Sequence, residues 1–339
     1  MARQPLGSRS GQRSWIYIIT ALLVIVVVVA LIYRLGLFGR NKKGSGVVPS
    51  DIGMPEAKQV TSPRPKPKPV VEIEPNLPAM PIGEPNDKVY GLIIEATALI
   101  AAKPSKVIEA RDRLNEVLAI PMNAQQRAFV RERLSELADK WLFSKTVFPN
   151  DTLCSSYTVK PGDQLQTIGE QFKVPYEILM EINKIGRPEA LQAGEMIKVI
   201  NGPFHARIYR SIFTMDLYLQ NTFVRSFPVG LGKLGRETPT GLWVVNPGGK
   251  LIKPPWTDPD TGRRYEPDDP DYPLGSRWIG LEGIGGAAKG RTGFAIHGTK
   301  EPTQIGAAGS RGCIRLHNGD AILVYNLLMP GLSQVEVVE

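Results

Sequence analysis

The chain of 339 residues holds two cysteines and three histidines, and one of the cysteines and two of the histidines fall in the segment Gly293–Asp320, GFAIHGTKEPTQIGAAGSRGCIRLHNGD. Phe294, Ala295 and Ile296 read as a short buried strand ending at His297. The loop that follows carries glycines at 298, 306, 309 and 312 and returns the chain to Cys313. Glycine at that density suits a loop that needs φ > 0 and close backbone approach. A thiol of ordinary pKa, about 8.5, is mostly protonated at neutral pH, so a cysteine nucleophile wants a nearby histidine to form the thiolate. Cys313 is flanked by Arg311, Gly312 and Arg315 rather than by the apolar neighbours of a cysteine used as a small hydrophobe, and positive flanks lower a thiol pKa.

The chemistry such a pair can perform is acyl transfer through a thioester. His297 serves as base and then acid, Cys313 attacks the carbonyl, and the backbone N–H groups of Gly312 and Cys313 are the natural oxyanion donors. Arg315 shares a face with Cys313 if a strand begins there, where it could stabilise a thiolate or grip a substrate carboxylate. Ser310 is expected to order the loop by hydrogen bonding. His317 could reach Cys313 only through a helical turn, yet Cys-Ile-Arg-Leu reads as extended; His205 reads as a linker residue. Asp320 reads as the N-cap of a helix over 321–328, and no Asp or Asn stands out to orient His297.

The string HGT…IG…SRGCIR resembles the signature of the L,D-transpeptidase family with YkuD-like catalytic domains. His297, Gly298, Ser310, Gly312, Cys313 and Arg315 each match it, and Thr238-Pro239-Thr240-Gly241 and Pro273-Leu274-Gly275 match two further family motifs. The resemblance covers about 204–339. It implies that the backbone carbonyl of Gly298 orients the histidine. It also implies a peptidoglycan stem tetrapeptide as substrate, attacked after the L-centre of its third residue with D-alanine leaving. The side-chain amine of a neighbouring stem would be the acceptor, giving 3→3 cross-links. Two alternatives stand beside this: hydrolysis of the same acyl-enzyme, as in an L,D-carboxypeptidase, and a non-catalytic wall-tethering protein. No cofactor and no metal is implied.

Upstream elements must bring this site to its substrate. Residues 15–33, WIYIITALLVIVVVVALIY, are uncharged and span about 28 Å as a helix, close to the hydrocarbon thickness of a bilayer. They read as an uncleaved transmembrane anchor behind a cytoplasmic tail, 1–14. Arginines and lysines on both sides leave orientation undecided by charge; the implied substrate puts the bulk of the chain on the periplasmic side of the cytoplasmic membrane, as a single-pass protein. A Pro-rich linker, 34–87, follows as a semi-rigid spacer. Apolar residues at helical spacing predict a small helical segment over 88–150, with Pro104 starting its second helix and Asn123 capping its third.

Residues 155–201 read strand, helix, helix, strand and resemble a LysM module, a βααβ unit. In that family the turn after the first strand and the segment after the second helix bind glycans built on N-acetylglucosamine. Those positions are Gly162, Asp163, Gln164, Asn183 and Ile185 here. From 204 to 339 short β-branched runs predict an antiparallel all-β sandwich as the catalytic domain. Its long 246–273 connection reads as a mobile cover with Trp256, Tyr265 and Tyr272 as substrate contacts. Asp258-x-Asp260-x-Gly262 within it lacks the remaining ligands of a calcium loop and reads as a solvated turn.

The whole is thus a multidomain chain expected to meet peptidoglycan stem peptides, glycan strands and the membrane. Its net charge of +8 is scattered, with no basic helix interleaved with aromatics, so nucleic acid is not an expected partner. Two cysteines far apart exclude a disulfide framework, and Cys154 reads as an unpaired linker or core thiol.

Overall fold

The structure, a computed structural model, describes residues 83–339. The segments expected as transmembrane anchor and cytoplasmic tail, and nearly all of the expected Pro-rich linker, lie outside the described residues. Among the described residues no helix is long and apolar enough to cross a membrane.

Three helices come first: α1 (Asp87–Ala101), α2 (Val107–Leu118) and α3 (Ala124–Trp141). Asn123 caps α3 as its side-chain chemistry predicts, its Oδ1 accepting from Gln126 N at 2.8 Å. Helix α2 begins three residues after Pro104 rather than at it. The LysM unit is β1 (Cys154–Thr158), α4 (Leu165–Phe172), α5 (Tyr176–Asn183) and β2 (Met196–Ile200), with β1 and β2 antiparallel.

The helical segment is no loose spacer. Arg131 of α3 pairs with the fully buried Asp216 of the last domain, and Asn115 of α2 accepts from Phe223 N at 2.8 Å. Lys198 of β2, 1% exposed, donates its ammonium to the carbonyls of Trp141, Ser144 and Thr146, where α3 ends. A buried ammonium is costly unless paired or fully hydrogen-bonded, and a helix C-terminus presents carbonyls without intrahelical partners. Cys154 is a core thiol, 1% exposed.

The last domain holds β3 (Phe204–Tyr209), β4 (Thr214–Leu219), β5 (Thr222–Pro228), β6 (Leu231–Gly232), β7 (Gly241–Leu251), β8 (Trp256–Thr257), β9 (Arg264–Tyr265), β10 (Trp278–Gly285), β11 (Phe294–His297), β12 (Ala308–Ser310), β13 (Ile314–Arg315), α6 (Asn318–Leu327) and β14 (Gln334–Val338). Eight of these strands form one sheet in the order β13-β11-β10-β7-β14-β3-β4-β5. The expected antiparallel sandwich is therefore corrected to a mixed sheet, because β14–β3 and β11–β13 pair in parallel. Parallel neighbours need a crossover, and the strand pattern alone does not reveal which strands one joins. His205, expected in a linker, sits inside β3, where its Nδ1 accepts from Gln334 N at 3.1 Å. Asp320 is not the N-cap of α6: that helix starts at Asn318, which leaves Asp320 in its first turn.

Candidate active site

His297 ends β11 and Cys313 immediately precedes β13, the parallel edge strand beside it. The register pairs Ile296 with Ile314 and His297 with Arg315. Both isoleucines are fully buried. Side-chain alternation therefore puts His297, Cys313 and Arg315 together on the opposite face. The intervening loop is held in place by backbone: Leu231 N donates to Ala307 O at 3.0 Å, Lys233 N to Ser310 O at 2.9 Å, and Gly230 and Arg315 exchange two bonds of 2.8 and 2.9 Å.

The imidazole is 3% exposed and stacks on Trp278, with centroids 5.6 Å apart. Its Nδ1 lies 2.6 Å from Gly298 O. A carbonyl only accepts, so Nδ1 carries the proton and Nε2 is left with a free lone pair in the neutral ring. Burial drives the His297 pKa down to about 4, opposed by the backbone bond to Gly298 and, less, by the Leu274 backbone, and aided by the Arg315 charge. Burial likewise pushes the Cys313 thiol up, against smaller lowering by the Ala295 backbone and by Arg315. Desolvation thus works against the lowering that the arginine flanks were expected to give, of which Arg315 supplies a part. Arg311 turns away to Asp258 and Asp260.

Among the described residues no hydrogen bond joins the sulfur to the imidazole; Sγ lies 4.0 Å from Gly293 O. Burial favours a neutral thiol and a neutral base, set two positions apart along neighbouring strands.

Ser310 orders the turn before Cys313, its Oγ accepting from Gly312 N at 3.0 Å and donating to Cys313 O at 2.6 Å. That bond consumes the Gly312 N–H, so Gly312 is removed from the oxyanion donors, whereas the Cys313 N–H has no hydrogen-bond partner among the described residues. Gly312 matters for shape: its φ is +120°, and a Cβ there would stand 2.7 Å from Phe294 Cε1. Thr238 of the TPTG turn, buried, donates to Gly312 O at 2.8 Å. Arg315 is half-buried and bonds Gln304, with Glu301 at 3.9 Å and its own Nε unpartnered.

A residue that sequence reasoning missed is Asn318. Its Oδ1 accepts from Ser276 N at 3.0 Å and Thr299 N at 3.2 Å, and its Nδ2 donates to Thr299 O at 2.9 Å. It thus locks the His297-Gly298-Thr299 turn to the Pro273-Leu274-Gly275 turn. The only signal was an Asn three residues after Arg315, a spacing with no local meaning.

The 246–273 cover is a hairpin of β8 and β9 in which Trp256 and Tyr265 pack on each other at 5.9 Å. Tyr272 is corrected as a substrate contact: it is 6% exposed and its hydroxyl donates to Pro254 O at 2.6 Å. The Asp258 turn is not solvated either, since Asp258 Oδ1 accepts from Asp260 N and Thr261 N and the residue is buried. Among the described residues no group of three or more His, Cys, Asp or Glu side chains could hold a metal.

In the LysM unit Gly162, Asp163 and Gln164 follow β1, and Asp163 and Gln164 line a cleft of about 550 Å³ with Tyr176, Pro188 and Leu191. Asp163 accepts from Tyr157 Oη and Lys160 N, each at 2.8 Å, bonds that hold its carboxyl below the usual range, the Lys160 backbone first. Asn183 is corrected as a glycan contact: it is buried, and its amide is spent on Leu179 O, Lys198 O and Lys198 N. Ile185 is half-buried beside it.

Fold and site together define a thiol–imidazole domain joined to a LysM module. The L,D-transpeptidase catalytic domain model, YkuD, matches residues 206–337, and the LysM domain model matches 157–199. The chain is 30% identical over 188 residues to YkuD of Bacillus subtilis (strain 168), a candidate L,D-transpeptidase, covering 52% of this chain and 94% of that one. It is 31% identical over 182 residues to ErfK/SrfK of Escherichia coli (strain K12), another candidate L,D-transpeptidase, covering 50% of each. A crystal structure of an L,D-transpeptidase from Mycobacterium tuberculosis H37Rv aligns over 44% of this chain and 64% of that one, at 18% identity. The TM-score of that alignment is 0.32. The chain belongs to the L,D-transpeptidase family with a YkuD-type catalytic domain, and its two modules imply binding of peptidoglycan.

Proposed function

We propose that the protein cross-links peptidoglycan by L,D-transpeptidation through a Cys313 thioester, with the LysM module holding the glycan and the N-terminal segment anchoring the chain at the membrane. The observation that carries this reading is the Gly298 carbonyl on His297 Nδ1, which leaves Nε2 as a base on the strand face that bears Cys313. Substrate entry brings the sulfur and Nε2 together; catalytic hydrogen bonds are often long before substrate arrives. As sulfur attacks the stem carbonyl, the thiol proton passes to Nε2, and the Cys313 N–H donates to the developing oxyanion. Collapse of the tetrahedral adduct breaks the C–N bond, and the imidazolium gives its proton to the departing D-alanine amine. An acceptor amine then attacks the thioester, losing a proton to the same nitrogen, and the thiol is regenerated. A neutral starting pair means that charge is created only as the sulfur attacks, where fixed donors stabilise it most.

Arg315 contributes positive charge beside both groups, and its guanidinium is the group placed to meet a substrate carboxylate. Trp256 and Tyr265 present the hairpin's aromatic surface to the stem. The test is intact-protein mass spectrometry after exposure to a carbapenem, with one adduct expected on Cys313, none on Cys154 and none in Cys313→Ala. Disaccharide-tetrapeptide should then give cross-linked dimer. Tripeptide monomer as sole product would replace the transferase with a carboxypeptidase, and an unchanged Cys313→Ala would leave only a tethering role.

A further inference from the structure

Tyr176 and Pro188 line the cleft of the LysM unit. The same two residues also line a second, shallow cleft of about 680 Å³, together with Met180, Glu181, Lys184, Ile185 and Asn326 of α6. Its two walls belong to different domains and are tied together. Asn326 Nδ2 donates to Glu181 Oε2 at 3.1 Å. Lys250 of β7 lies 3.7 Å from Glu177 of α5 and 4.2 Å over the Tyr325 ring of α6.

We propose that this second cleft continues the LysM groove as a glycan subsite shared by both domains, taking the next sugars of the same strand. The inference rests on reading the LysM module as a peptidoglycan binder. An apolar floor beside an aromatic ring suits the C–H faces of a pyranose, and a carboxylate and an amide on the walls supply the acceptor and donor that hydroxyl and acetamido groups require. Glu177, Glu181 and Lys184 line this space and Lys250 pairs with Glu177, so the charges balance locally, no surplus cation selects phosphate or a stem carboxylate, and the uncharged sugar backbone is the matching occupant. Helix α6 leads from Asn326 back to Asn318 at the His297 turn, about 12 Å at 1.5 Å per residue. A strand lying through both clefts therefore passes one end of the helix whose other end locks the catalytic histidine's turn.

The experiment is calorimetric titration of the full-length protein with N-acetylglucosamine oligomers, tetramer against octamer. The octamer is expected to bind on the order of tenfold or more tighter than the tetramer, as two linked subsites dictate. In Asn326→Leu and, separately, Met180→Glu, that gain should shrink to the few-fold statistical advantage of a longer ligand, while tetramer affinity stays as in the wild type. Two variants guard against either one disturbing the domain contact by itself. An octamer no tighter than the statistical expectation, or a gain that persists in both variants, overturns the proposal. A tetramer that does not bind at all overturns the LysM reading as well, so the two failures are distinguishable.

Discussion

Arg311 and Asp258 meet through two hydrogen bonds, Nη1 and Nη2 each 3.1 Å from Oδ2. Arg311 is two residues before Cys313, and Asp258 sits at the root of the hairpin tip. Asp260 adds a bond to Arg311 Nε at 2.7 Å and accepts Arg236 at 3.1 Å, and Asp271 further along the same connection pairs with Lys300, next to the His297 turn. The connection is clasped to both loops of the site. Asp258→Asn keeps an oxygen for the Asp260 and Thr261 amides but discharges the pair. We expect faster hydrogen exchange across 256–265 with a stability loss of about 1 kcal/mol or less, since partly exposed pairs contribute little. Unchanged exchange would show that the clasp does not restrain the hairpin.

His297 and His205 both have pKa values lowered from 6.5 to about 4, in each case by burial. Between those values the unfolded chain binds protons that the folded chain refuses. Their contribution is therefore complete above about pH 6.5 and is lost as pH falls toward 4. For His297, 3% exposed, the loss is on the order of 3 kcal/mol. Urea unfolding at pH 7 and pH 4.5 should reveal it, and His205→Asn should reduce the difference without altering acylation at pH 7.

Alkylation should report the thiols directly. Cys313 lies above the ordinary thiol value because of burial, so its iodoacetamide rate should keep rising past pH 9 with no plateau near neutrality. Cys154 is pushed up to about 12 by burial and should stay unlabelled while the protein is folded. Arg315→Met removes a charge that favours the thiolate, and several-fold slower labelling at pH 8 is the expected result. A plateau near pH 7 would mean a thiolate–imidazolium pair instead of the neutral one.

Asn318→Ala cuts three bonds that fix the His297-Gly298-Thr299 turn. Acylation should fall about 10²-fold, the scale on which a 1 Å misplacement acts. Circular dichroism should stay native and KM should change little. Asn318→Asp keeps the acceptor and should recover part of the rate; equal loss in both variants would assign Asn318 a purely structural role.

What could be read from the residues is what depends on neighbours in sequence. Asn123 caps its helix through a bond three residues away, and His297, Ser310, Gly312 and Cys313 are close enough along the chain to carry a motif. Asn318 could not be read, because its partner Ser276 lies 42 positions upstream. The same holds for the parallel pairing of β14 with β3, which joins the two ends of the domain. Asn183 and Tyr272 misled for a different reason. Both are polar side chains of the kind found at binding sites, yet here their polar atoms satisfy buried backbone, a use that only packing discloses. The Gly312 amide failed as an oxyanion donor because Ser310, correctly read as a loop-ordering residue, had already taken it.

Lys198 has a consequence for how the protein could be shortened. Its three oxygen partners are supplied by residues 141, 144 and 146, upstream of the first LysM strand. Trimming the chain to the bare sugar-binding module would strand a cation in its interior, and the minimal autonomous version should therefore start before α3.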